Sequence, residues 1–145
     1  MANQFCTFSV GDLQLGIEIE RIHEVLYETA ITPVPLAPPS VCGLINLRGQ
    51  IIAAVDLRKR FGLAEEKTKA AHATLVLGDG DHLLSFVVDR VGDVVEVGSE
   101  DYEEPPNTLK GEARRLIRGA YKLQDSLLLV LDVEFALDLG TPEIG

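Results

Sequence analysis

Carboxylates are the most numerous groups in this chain that could do chemistry. Glu18, Glu20 and Glu24 fall in one short stretch, and Glu100, Asp101, Glu103 and Glu104 in another. Paired acids in a groove perform general acid–base catalysis when burial separates their pKa values, so each group is a candidate for hydrolysis or for holding a polar ligand. The second group reads more simply as a solvated acidic face. Glu24 differs, because it follows an alternating apolar stretch and neighbours Ile22 and Val25. That places it either at the rim of an apolar groove or in a surface ion pair. Arg48, within Asn46-Leu47-Arg48-Gly49, is the other singular group. Gly49 suits a chain reversal. The guanidinium either bridges backbone carbonyls across a lobe junction or offers a charge-assisted donor to a partner.

Other chemistries lack their residues. No GxxxxGK[ST] or GxGxxG turn is present to cradle a phosphate, and no GxSxG elbow or Cys–His signature supports a nucleophile. Asp79 and Asp81 open like a calcium loop, but the twelfth position is Arg90 where a bidentate Glu belongs, so a hairpin tip accounts for them. His23, His72 and His82 have no metal-ligand spacing, and Cys6 and Cys42 lie among apolar neighbours outside any CxxC pattern. No metal and no cofactor is expected. Twenty-three acids against 13 Lys and Arg leave the 145 residues with a net charge of −10, which repels nucleic acid and anionic lipid. The longest apolar runs, 51–55 and 127–131, are strand-sized, and the first residues lack the features of a leader. A cytoplasmic protein without direct membrane insertion is expected.

The elements that must position these groups are mainly β. Period-two alternation through residues 5–10, a Gly11-Asp12 turn, and Leu13, Leu15, Ile17 and Ile19 mark a hairpin. Residues 73–77 and 83–88 repeat that design around Gly78-Asp79-Gly80-Asp81. Further strands are expected at 50–55, 94–97, 117–123 and 127–133. Short helices are expected at 56–61 and 132–139, each opened by an Asp that caps its first turn. Thr32-Pro33-Val34-Pro35-Leu36-Ala37-Pro38-Pro39 cannot enter a sheet interior and is expected to run extended over the surface. Residues 64–71 read as a linker and 98–111 as a second polar loop.

An internal repeat organises these elements. At an offset of 69, Ile17-Glu18-Ile19-Glu20-Arg21-Ile22-His23-Glu24-Val25 falls on Phe86-Val87-Val88-Asp89-Arg90-Val91-Gly92-Asp93-Val94. Leu47-Arg48-Gly49 then meets Ile117-Arg118-Gly119, and Val55-Asp56-Leu57 meets Leu131-Asp132-Val133. Duplication implies one domain, 1–145, with two lobes of approximately 1–68 and 69–145, strand exchange between them being left open. Each lobe is too short for a sandwich, so its strands are expected to curl into a small barrel that hides its edges and is filled by side chains. Any working surface then lies outside or between the lobes.

With those motifs, with Gly43-Leu44-Ile45-Asn46-Leu47-Arg48-Gly49-Gln50-Ile51-Ile52, and with Val55-Asp56-Leu57-Arg58-Lys59-Arg60-Phe61-Gly62, the chain resembles the bacterial chemotaxis coupling protein CheW family over nearly its whole length. The resemblance implies a mainly β fold, two SH3-like five-stranded β-barrels with a hydrophobic core between them and a few short helices. It implies a non-enzymatic adaptor that couples the regulatory domain of the histidine kinase CheA to the cytoplasmic tip of methyl-accepting chemoreceptors, recruited to membrane-bound arrays. It maps a receptor-contacting groove to Ile22, Glu24, Gly43, Asn46, Arg48 and Gly49, where a receptor helix would lay its apolar stripe while Glu24 and Arg48 set its polar register. It places a kinase-contacting face near Ser85 and Gly119. The chain departs from the family pattern at Cys42, at Ser85 where Gly is frequent, and in a short C-terminal tail. Similar domains occur within the kinase and fused to a receiver; with no phospho-acceptor domain here, a free-standing adaptor is expected. Two other readings stand beside it. A small ligand-binding protein or hydrolase would use groove carboxylates including Glu24, and a purely structural two-barrel protein would have no partner.

Overall fold

Alternating apolar residues make β1 (Asn3–Val10) and β2 (Leu13–Glu18) an antiparallel hairpin closed by the Gly11-Asp12 turn, with Val10 opposite Leu13 and Phe5 opposite Glu18. The computed structural model describes residues 3–27, 29–63, 72–79 and 82–138. After the first hairpin come β3 (Ile22–Tyr27), β4 (Val41–Leu47), β5 (Gln50–Asp56) and the one-turn helix α1 (Leu57–Arg60). The second hairpin is β6 (Ala73–Asp79) and β7 (His82–Val88), followed by β8 (Arg90–Val97) and β9 (Tyr102–Glu103). The chain then forms α2 (Glu112–Arg115), β10 (Ile117–Lys122), β11 (Leu127–Leu131) and α3 (Val133–Leu137). The linker read at 64–71, the hairpin tip at Gly80-Asp81 and the tail from 139 onward lie outside the described residues.

Two sheets result, a six-stranded one in the order β8-β1-β2-β11-β10-β9 and a five-stranded one in the order β3-β6-β7-β5-β4. Each sheet draws strands from both sides of the 64–71 segment. The β1–β2 hairpin joins β8 to β11, and the β6–β7 hairpin joins β3 to β5. The borrowed hairpin is received in the same manner both times: antiparallel on one flank, and parallel on the other, through β2–β11 and β5–β7. Without the two-residue β9, the strand orders are copies of each other, as duplication requires.

The structure corrects the register of that repeat. Arg48-Gly49 forms the turn between β4 and β5, whereas Arg118-Gly119 lies inside β10. β10 has a bulge between Ile117 and Gly119, with Ile117 opposite Leu131 and Gly119 opposite Val130. β4 has the same bulge between Val41 and Gly43, with Val41 opposite Val55 and Gly43 opposite Ala54. The counterpart of Ile117-Arg118-Gly119 is therefore Val41-Cys42-Gly43. The Arg-Gly match misled because it aligned a turn glycine with a bulge glycine, two different uses of one residue type.

Alternation along the strands divides the apolar residues between three clusters. Leu128 and Val130 of β11 face a small core with Phe5 and Val97, while Leu129 and Leu131 face a larger one shared by both sheets. In the other sheet Ile52 and Ala54 join Ile45 and Val76 in a second small core, while Val55, Leu75, Leu77 and Phe86 turn to the shared one. Each sheet thus encloses its own filling, and the shared core cements the pair.

The expected helices form after β5 and β11 but are shorter than expected, because each is one turn held mainly by its cap. The Asp56 carboxylate accepts from the Arg58 amide at 2.9 Å, and the Asp132 carboxylate from the Phe135 amide at 3.0 Å. Arg60 then locks the two turns together. Its Nε donates to the Ala136 carbonyl at 3.2 Å, its Nη2 to those of Phe135 and Asp138 at 2.8 and 3.1 Å, and its Nη1 to Glu112 at 2.8 Å. The guanidinium also stacks over the Phe135 ring, 4.9 Å from its centroid. The Arg60 side chain is 5% exposed while Glu112 is 62% exposed, so the carbonyls at the end of α3 hold this charge more than the carboxylate does. Arg60→Ala is expected to lower stability by about 3 kcal/mol, since it orphans buried carbonyls, whereas Glu112→Ala costs under about 1 kcal/mol. Urea unfolding of the two variants measures the difference.

Candidate functional site

The β4–β5 hairpin ends in a two-residue loop, Arg48-Gly49, with Leu47 opposite Gln50. Both loop residues have positive φ, +50° at Arg48 and +86° at Gly49. This is the backbone of a type I′ turn, whose twist matches the flanking strands and whose first position favours Asn, Asp or Gly. Arginine there carries a strain on the order of 1 kcal/mol. Asn46 steadies the turn by accepting the Gly49 amide at its side-chain oxygen, 2.9 Å away.

Glu24 approaches that arginine from β3, just after a bulge between Ile22 and Glu24. The Arg48 guanidinium engages both carboxylate oxygens, Nη2 with Oε1 and Nη1 with Oε2, the latter at 3.3 Å. Since β3 and β4 are the two ends of the five-stranded sheet, the ion pair bridges its two edge strands by their side chains. The Arg48 side chain is 67% exposed and that of Glu24 28%, so the pair contributes at most about 1 kcal/mol to folding. The sequence left two roles open for each residue; the structure gives Glu24 the ion pair and aims Arg48 across the sheet seam, not at backbone carbonyls.

Gly43 is buried, and its part is structural. The Thr32 N–H and C=O exchange hydrogen bonds of 2.8 Å with Leu44, so the proline-bearing segment covers the outer edge of β4. Gly43 has φ +153°, and a Cβ on it would stand 2.2 Å from the Thr32 oxygen. Ile22 is half-buried, and both it and Val25 pack against the shared core. The apolar surface left near the ion pair is instead Ile51, 59% exposed and directly across from Asn46. Alternation against the buried Ile52 is the signal that could have picked out Ile51.

The two residues expected near the kinase side, Ser85 and Gly119, are themselves buried. Ser85 is fully buried between β6 and β5 and donates its hydroxyl to the Ala53 carbonyl at 2.7 Å. Gly119 lies beneath Tyr102, where a Cβ would come within 2.8 Å of the ring. Strand position explains both: Ser85 is mid-sheet, and Gly119 ends a bulge that β9 covers. Arg118 reaches to Glu18, which ties β10 to β2. Depressions of about 260, 350 and 270 Å³ are lined by other residues, none by Glu24 or Arg48.

Both cysteines belong to the cores. Burial pushes the Cys6 thiol up, and the Cys42 thiol is raised by burial first and by the Asp56 carboxylate second. The Cys42 sulfur donates to the Ala54 carbonyl at 3.4 Å. Two outcomes are expected. Gly43→Ala should cost at least about 2 kcal/mol and loosen the 30–36 segment, as seen by thermal melting and limited proteolysis. Since the thiolate forms only above the ordinary thiol range, neutral iodoacetamide should label neither cysteine in the folded protein and both in urea, with native labelling quickening as pH rises.

Comparison with known proteins agrees with this geometry. The CheW-like domain family model matches residues 4–139. A chemotaxis protein CheW of Treponema pallidum is 34% identical over 134 residues, covering 90% of this chain and 79% of that protein. That of Helicobacter pylori is 34% identical over 131 residues, with the same coverage. The crystal structure of a CheW scaffolding protein from Thermoanaerobacter tengcongensis superposes with a TM-score of 0.82 at 28% identity, covering 94% of this chain and 92% of that one. With the paired sheets, the shared core and the Asn-Leu-Arg-Gly turn all in place, the chain belongs to the CheW-like domain family.

Proposed function

We propose that this protein is a non-enzymatic adaptor that couples chemoreceptors to the histidine kinase CheA in chemosensory arrays. The receptor contact is made around Arg48, with Glu24, Asn46 and Gly49, while Ile22 and Gly43 shape the strands beneath. The observation that carries the reading is the conformation of Arg48. A strained, exposed arginine is kept at a turn where Asn or Gly would be easier, and its ion pair adds little stability. The protein's stability gives no reason for that choice, whereas recognition does. Glu24 fixes the guanidinium in one orientation and leaves other N–H donors turned outward for a partner. Ile51 beside it offers apolar contact to an amphipathic helix. The relatives named chemotaxis protein and the crystallised scaffolding protein support the adaptor role.

Hydrolysis or small-ligand binding by the groove acids finds its two half-buried members, Glu24 and Glu18, already paired with cations. Glu24 is engaged by Arg48 and Glu18 by Arg118, so the acids face cations instead of one another. No described helix is long and apolar enough to cross a membrane, and the adaptor reading entails a cytoplasmic protein recruited to membrane-bound receptors.

Arg48→Glu is expected to weaken binding of a receptor-tip fragment by about 2 kcal/mol, a charged contact becoming repulsive. The exchange Glu24→Arg with Arg48→Glu restores the internal pair and hence stability, but not receptor binding. Titration calorimetry with melting curves on each variant separates these effects. A swapped protein that binds as well as the wild type would assign Arg48 to folding only, and a wild type that binds neither the receptor tip nor the kinase regulatory domain would overturn the adaptor reading.

A further inference from the structure

Two junctions carry the chain from one sheet to the other. β2 of the six-stranded sheet passes through a 3-10 turn, Ile19–Arg21, into β3 of the five-stranded sheet. β7 of the five-stranded sheet passes at Asp89 into β8 of the six-stranded one. We propose that the ion pair between Arg21 and Glu134 is a releasable clasp on the first junction, which positions the start of β3 and through it the Glu24–Arg48 pair. Arg21 and Glu134 are thus positioning residues for the receptor contact, a role that rests on the adaptor reading above.

Each junction is tied to the helix that follows a strand of the sheet it leaves. The helix residue used is the same in both halves, second after the capping aspartate: Arg58 after Asp56, and Glu134 after Asp132. Their charges are opposite. Arg58 donates from Nε to the two Asp89 carboxylate oxygens at 2.9 and 3.1 Å, whereas Glu134 accepts from Arg21 Nη1 at 2.7 Å.

The two clasps are matched in position but not in firmness. The Arg58 and Asp89 side chains are 20% and 24% exposed. Asp89 also accepts the Gly11 amide at 2.7 Å, and its own amide donates to the Ser9 carbonyl at 3.0 Å. Glu134 is 74% exposed, against 27% for Arg21, so water competes for this pair and its contribution to folding is small. The 3-10 turn it serves has no side-chain cap and no fully buried residue. Glu18, just before the turn, is engaged by Arg118 of β10. The Arg21 hydrogen bond holds the Glu134 carboxyl below the usual carboxylate range, against the opposing effect of burial, with the charges of Arg21 and Arg118 behind it. Two acids and two arginines therefore form one group of alternating charge where β3 begins.

A pair this weak cannot decide the fold, but it can decide a local equilibrium. Ile22 follows Arg21 directly, and the bulge before Glu24 begins at Ile22. A shift of the turn displaces the carboxylate that fixes the Arg48 guanidinium. Apparent affinity for a partner scales with the fraction of molecules in the competent arrangement, so opening the clasp lowers it by the same factor.

The test uses full-length Arg21→Gln, Glu134→Gln, the double variant and Arg21→Lys. Each is titrated with a receptor-tip fragment, melted alone, and followed by hydrogen exchange of the 22–27 segment without ligand. Arg21→Gln and Glu134→Gln should each lower receptor affinity about threefold and quicken exchange in that segment by a similar factor. The double variant should lose no more than either single one, as two halves of one interaction do, and Arg21→Lys should keep wild-type affinity. Tm should move by under about 2 °C in all four. Single variants that leave affinity or exchange at wild-type values, losses that add in the double variant, or failure of Arg21→Lys to hold affinity each overturn the clasp while the adaptor reading stands. A wild type that binds no receptor tip overturns the adaptor reading, and the positioning role with it.

Discussion

Burial of one face of each hairpin in a core that belongs to both sheets is the constraint on which the rest of this protein depends. Leu15 and Ile17 from the first hairpin share one core with Leu75, Leu77 and Phe86 from the second, all essentially inaccessible to water. Each hairpin is hydrogen-bonded into a sheet made otherwise from the opposite half of the chain. Neither half can satisfy both its strand edges and its apolar faces alone, because its hairpin completes the other half's sheet. The parallel junctions β2–β11 and β5–β7 join strands far apart in sequence, so loop closure and core formation must be solved together.

That construction settles where a surface can act. The interiors are filled by side chains and the shared core is closed, which leaves turns and sheet edges as working parts. β4 is such an edge, partly covered by Thr32. Its two ends carry the two residues held in left-handed backbone, Arg48 at the hairpin and Leu36 in the covering segment. Both are exposed, and neither conformation is rewarded by packing.

Much of this was legible in one sequence. Period-two alternation marked both hairpins, short strand-sized stretches between turn residues marked β5, β10 and β11, and the aspartate caps marked α1 and α3. The proline segment runs over the surface as its chemistry demands. β3 and β4 were not marked as strands: β3 splits its apolar residues between the shared core and the seam and is bulged at His23, while Gly43 and Asn46 interrupt the alternation of β4. Arg60 passed as one cation among three in Arg58-Lys59-Arg60, because local sequence cannot show that its fork meets the end of a helix more than seventy residues away. The burial of Ser85 and Gly119 is not legible in the sequence for the same reason, since exposure is a property of neighbours brought from elsewhere.

What the sequence by itself determined is the set of local decisions. Which stretches are strands, which residues cap the helices, and which glycines and prolines shape turns all follow from dihedral preferences and side-chain period, which act over a few residues. Duplication was also readable, with one of its three matches, Arg48-Gly49 on Arg118-Gly119, out of register. Only the tertiary structure decided which half completes which sheet, that Glu24 and Arg48 meet across a seam, and that Leu36 stands clear of every neighbour. Those outcomes depend on long-range burial and on the curl of a hydrogen-bonded sheet, and such forces act between residues that share no sequence neighbourhood.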